Sequence, residues 1–125
     1  MKMQEVQAAI YTRLASVLSV DVWDDVPQQP EFPYVVIGDD TAVDWSADAY
    51  IGTDATLTIH VWSRQSGRSE TKAIQQEIDE ALNRFELVVD GLDVVTLHRE
   101  FSQTMLDPDG RTRHGVQRFR LLGHE

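Results

Sequence analysis

The residues of this chain with the means to do chemistry are its paired acids, its histidines and one arginine-rich stretch. Asp24-Asp25 and Asp39-Asp40 carry the oxygen ligands that a divalent cation takes. Neighbours along an extended chain point to opposite faces, however, so an extended Asp39-Asp40 pair would not converge on one ion, and exposed acidic loop is the expected role. His60, His98, His114 and His124 are spread along the chain without the i, i+4 spacing of a helical zinc site. Asp107-Pro108-Asp109-Gly110 lacks the further acid or amide and the distant glutamate of a calcium loop, and a type I turn with proline at its second position accounts for it. Neither Ser63 nor Ser66 lies in a Gly-x-Ser-x-Gly frame, and no glycine-rich phosphate loop is present. The chain has no cysteine, which removes disulfides, thiolate nucleophiles and zinc–thiolate sites. No catalytic residue, metal ligand or cofactor-binding residue is assigned, and a protein that is not an enzyme is expected.

What remains is a contrast of charge. The formal net charge is -10. Asp21, Asp24, Asp25, Glu31, Asp39, Asp40, Asp44, Asp48 and Asp54 fall in a stretch without lysine or arginine, whereas Arg111, Arg113, Arg118 and Arg120 fall in one without a carboxylate. Such an acidic protein is a poor primary ligand for nucleic acid, whose binding is dominated by phosphate neutralisation. The basic strand requires an acidic complement, either within the same chain or on a neighbouring subunit, where it would set partner and register. Arg111, Arg113, Arg118 and Arg120, with Asp39, Asp40, Asp44, Trp45 and Asp48, are therefore the interface candidates.

The elements that must position these residues follow from hydrophobic spacing. Val6, Ile10, Leu14, Val17 and Leu18 predict a helix over 3–18. A short extended piece over 20–24 and an irregular arm held by Pro27, Pro30 and Pro33 come next. Tyr34-Val35-Val36-Ile37-Gly38 reads as an interior strand, and residues 39–53 as a loop or a splayed hairpin end bearing Trp45 and Tyr50. An aromatic on such a loop either folds back onto the core or anchors an interface. Leu57, Ile59 and Val61 alternate with polar and larger residues, giving a strand with one apolar face.

Ser66 or Ser69 is the expected N-cap of a second helix over 69–85, with Ile74, Ile78, Ala81, Leu82 and Phe85 on its buried face. Asp90-Gly91 predicts a hairpin joining Leu87-Val88-Val89 to a long strand that runs from Leu92 towards Met105. After the Asp107–Gly110 turn the chain returns through Val116, Phe119 and Leu121. This order predicts one α+β domain over residues 1–125, in two layers, with a mostly antiparallel sheet of about four to six strands packed by two helices. No apolar run approaches the ~20 residues of a membrane span, and the N-terminus leads into an amphipathic segment and not a secretory signal.

Three segments, in order, carry a family likeness: Val26-Pro27-Gln28 with Phe32-Pro33-Tyr34-Val35-Val36, then Leu57-Thr58-Ile59-His60-Val61-Trp62-Ser63, then the stretch from Asp107 to Arg120. Together with the helix that opens through Gln7-Ala8-Ala9-Ile10-Tyr11, they resemble the tail-completion or tail-terminator proteins of long-tailed phages, prophages and gene-transfer agents. The resemblance implies a virion protein, assembled in a bacterial cytoplasm. It would cap the tail tube as a ring, typically of six subunits, and present the head-joining surface. Its implied partners are further copies of itself, the tail tube protein and the head–tail connector, with DNA passing through the ring without specific binding. The alternatives are a head–tail adaptor contacting the portal side and a small bacterial ligand-binding or hydrolase domain.

Overall fold

The computed structural model describes residues 1–125. Helix α1 (Met3–Val17) and strand β1 (Asp21–Trp23) are followed by β2 (Tyr34–Asp44), β3 (Gly52–Ser63), helix α2 (Ser69–Leu82), β4 (Asp93–Leu106) and β5 (Arg113–His124). The strands form one five-stranded sheet in the order β1-β2-β3-β5-β4, in which only the β1–β2 pair is parallel. The expected α+β class is therefore found, with two helices and a mostly antiparallel sheet.

Burial alternates along β3 from Thr53 onward and in most of β5, which separates two faces. Ala55, Leu57, Ile59, Val61, Phe119 and Leu121 turn towards Val6, Ile10 and Leu14 of α1 and Ile74, Ile78, Ala81 and Leu82 of α2, forming one hydrophobic cluster. The other face is uncovered and carries Thr56, Thr58, His60, Trp62, His114, Arg118 and Arg120.

Several expectations are corrected. Most of residues 39–53 is strand and not loop. Asp40–Asp44 pairs with Thr53–Leu57 beyond a bulge at Ile37/Asp40, so only 45–51 form the hairpin tip. The small and acidic side chains there lie on solvated strand, where ladder hydrogen bonds can form without an apolar pattern to announce them. Gly52 permits the tip to close, since a Cβ at that position would collide with the Trp45 carbonyl.

Helix α2 ends at Leu82, leaving Phe85 beyond it, and neither Ser66 nor Ser69 caps its start, because the N-cap position is Arg68. Residues 87–89 are not a strand. Leu87 and Val89 are buried in the core, and a single bridge, Val89↔Leu92, marks the Asp90-Gly91 turn. Val17 is largely exposed, and α1 buries only Val6, Ile10 and Leu14. In β5 the residues facing the helices are 115, 117, 119 and 121, so Val116 lies on the open face and Gln117 takes a core place. Its Nε2 donates to the Gln75 carbonyl at 3.0 Å.

The two sheet edges differ. On the outer side of β4, the Arg84 N–H donates to the Leu97 carbonyl at 2.8 Å. Nearby the Arg99 N–H donates to Asn83 Oδ1 at 2.9 Å. These contacts occupy groups that would otherwise invite another strand. On the opposite edge β1 covers only Tyr34–Val36 of β2, and the remainder of β2 carries exposed Asp39, Asp40 and Asp44.

Candidate assembly interface

The Asp107–Gly110 turn is built from its own residues. The Gly110 N–H donates to the Asp107 carbonyl at 2.9 Å, as a type I turn requires, and Gly110 adopts φ 72°, a conformation that favours glycine. Asp109 Oδ1 accepts from the N–H groups of Arg111 and Thr112, and its Oδ2 accepts from the Thr112 hydroxyl. These donors, led by the Thr112 hydroxyl, hold the Asp109 carboxyl down to about 2. Asp109 is thus a structural brace of the turn that presents Arg111.

The four arginines separate into two pairs. Arg118 and Arg120 lie on the open face and find carboxylates in their own chain. Arg120 grips Asp54 with Nε–Oδ1 at 2.9 Å and Nη2–Oδ2 at 2.7 Å, a bidentate pair that keeps the Asp54 carboxyl below its ordinary range. Arg118 Nε lies 3.3 Å from Glu100, with its guanidinium 4.9 Å from the Phe101 ring centre. Arg111 is exposed in the turn and Arg113 half-buried at the start of β5, and neither makes an ion pair.

The acidic candidates lie elsewhere. Thr53, next to the tip, pairs with Gly123, whereas Ser63 pairs with Arg113. The hairpin tip and the Asp107–Gly110 turn are therefore at opposite ends of the strands, ~35 Å apart at the usual rise per residue. Asp39, Asp40, Asp44 and Asp48 are exposed and in no ion pair, and Asp44 accepts the Ser46 hydroxyl. Trp45 packs edge-on to Tyr50 at 6.3 Å, and Tyr50 lies 5.0 Å from the His124 ring. Of the candidates, then, the chain satisfies Arg118 and Arg120 itself and separates Arg111 and Arg113 from Asp44, Trp45 and Asp48.

One cluster escapes sequence reasoning. Register places His114 opposite Trp62, with the rings stacked at 3.8 Å and 7°. His60 Nδ1 lies 2.8 Å from His114 Nε2. Burial holds both imidazoles below the ordinary histidine range, while Asp39 beside His60 and Asp107 beside His114 oppose this. Gly38 makes room, because a Cβ there would meet the His60 ring. The two histidines are 54 residues apart, so only the β3–β5 register reveals the pair. No three His, Cys, Asp or Glu side chains assemble into a metal-binding set. No helix is long and apolar enough to cross a membrane.

Several grooves mark the surface. One of about 700 Å³ lies between residues 84–88 and β4, and another of about 630 Å³ lies between α1 and β1, bordered by Tyr11, Trp23, Asp24 and Asp25. Neither holds the histidine pair or the arginines of β5.

Residues 6–123 match the family model described as tail completion protein gp17. The tail completion protein gp17 of Bacillus phage SPP1 is 33% identical over 90 residues, a match spanning 72% of this chain and 66% of the phage protein, just under two thirds of its length. Among solved structures, a chain of the virion of a native gene transfer agent particle superposes with a TM-score of 0.89 at 24% identity, covering 99% of this chain and 98% of that one. The structure of the bacteriophage SPP1 gp17 protein gives 0.52 at 25% identity, covering 96% and 84%. With the family's pattern running through α1, the whole sheet and both helices, this chain belongs to the gp17 family of tail completion proteins.

Proposed function

We propose that this protein is a virion component that completes the tail of a phage or gene-transfer-agent particle. It closes the end of the tail tube as a ring, typically of six copies, and offers the surface that joins the head. The observation that carries the reading is the family match over residues 6–123. The fold suits the role, because Asp44 and Asp48 at one end and Arg111 and Arg113 at the other are in no ion pair, an arrangement that favours a heterologous, ring-closing contact. The proposed partners are other copies of the chain, the tail tube protein and the head–tail connector. No catalytic step is assigned.

DNA would traverse such a ring without being retained, since cationic walls would hold its phosphates. The open face is compatible with that passage, because Arg118 and Arg120 are neutralised by Glu100 and Asp54.

Removing the gene is the direct test. Without the protein, particles should accumulate as filled heads and unattached tails, and adding purified protein to those tails should place a ring of density at one end by electron microscopy. Normal joined particles in the deletion would overturn the reading. Cross-linking in the virion to the portal side alone, with none to the tube, would make the protein a head–tail adaptor instead.

A further inference from the structure

We infer that the two strand ends are the two halves of one contact between copies of this chain: the β2–β3 tip of one subunit seats against the β4–β5 turn and the start of α2 of the next. This rests on the ring reading and specifies how the ring is joined.

The tip has the make-up of a docking element. Val43 and Ile51 are 61% and 57% exposed, and Trp45 and Tyr50 stand beside them, also exposed. Large apolar side chains gathered at a projecting turn mark a surface that another protein covers. Asp44 and Asp48 add charge without a cation in their own chain.

The opposite end supplies the complement. Arg64, Arg68 and Arg111 are exposed and in no ion pair, and Arg113 starts β5 beside Leu106, itself 45% exposed. Of the acids nearby, Asp109 accepts the turn's amides, Glu70 accepts the Ser63 hydroxyl and Asp107 stands beside His114. Arg64 already lies 4.2 Å from the Phe32 ring centre, so guanidinium on an aromatic face is a contact this end makes. Trp45 and Tyr50 would offer further faces of the same kind.

Because the two ends lie ~35 Å apart on one rigid sheet, a single chain cannot join them. Joining unlike ends of successive copies gives a heterologous contact, which closes into a ring when the rotation permits. A like-end contact would set acid against acid at the tip.

The absence of native cysteine makes the test clean. The variant carrying Asp48→Cys and Arg111→Cys, oxidised under assembly conditions on tail tubes, should give a ladder of linked multimers ending at the ring size. Each single-cysteine variant should stay unlinked in the ring, because its cysteine then faces a native residue of the next copy. Charge exchange supplies a second readout, with fold checked by circular dichroism. Asp44→Arg with Asp48→Arg, and separately Arg68→Glu with Arg111→Glu, should each lower the assembled fraction at least about tenfold, since like charges then face each other. An equal mixture of the two should assemble again in alternation.

Single-end variants that assemble like the wild type, or folded variants whose mixture stays apart, overturn the contact. Wild-type rings on tubes with no ladder from the two-cysteine variant overturn the contact alone. No ring on the tubes at all overturns the ring reading with it.

Discussion

The two ends of β5 carry the same residue type and put it to opposite uses. At its C-terminal half, Arg118 and Arg120 lie over a flat open sheet where β3 and β4 bring Asp54 and Glu100 alongside, so their charge is spent at home. At its N-terminal end, Arg111 in the turn and Arg113 between Ser63 and Leu106 have no carboxylate paired with them. A run of arginines is thus not one feature. Register decides which members are paired within the chain and which are left without a carboxylate.

The largest effect that can sharpen the division between the faces comes from phenylalanine. Phe119 is fully buried under the helices and Phe101 is 39% exposed on the open face. Phe119→Ala should cost about 3–5 kcal/mol of stability, and Phe101→Ala well under half of that, measured by urea unfolding. Equal losses would mean that the open face is a second core.

A smaller effect separates the His60–His114 pair from the remainder of the open face. Both folded-state pKa values are depressed, so the unfolded chain takes up protons first as pH falls. The sign follows: this stability is complete above the ordinary histidine pKa of about 6.5 and is lost as pH drops through it towards the folded values. Unfolding midpoints should decline between pH 7.5 and pH 5, on the order of the histidine titration range, and His60→Gln with His114→Gln should flatten that decline. An unchanged slope in the double variant would place the acid sensitivity elsewhere.

The smallest expected effect tests the home-paired arginines. Asp54→Asn removes a half-buried bidentate contact at the sheet surface, so the unfolding midpoint should shift only modestly and the assembled fraction on tail tubes should not change. Loss of assembly in Asp54→Asn with the fold intact would return Arg120 to the interface.

Much of the fold was legible because local spacing and burial agree. Leu57, Ile59 and Val61 alternate as they are buried, and Val6, Ile10 and Leu14 recur as α1 packs. The reading weakened where long-range pairing outvoted local pattern. Val116 and Phe119 looked alike by composition, yet their parity along β5 sends them to opposite faces. Residues 40–44 became strand through the β3 ladder despite carrying two acids. The basic and acidic stretches were legible as charge, but their placement at opposite ends, with Arg120 and Asp54 as an exception between them, depends on register. The His60–His114–Trp62 stack had no local signal at all.

The guarded edge of β4 bears on how such a protein is stored before use. A subunit whose sheet could extend sideways would, once synthesised in excess, seed strand-by-strand growth without end. With Arg84 and Asn83 occupying the outward groups of Leu97 and Arg99, that route is blocked along the middle of the strand. On the ring contact proposed above, newly made chains would then wait as separate molecules, and the timing of union would pass to whatever template brings their strand ends together.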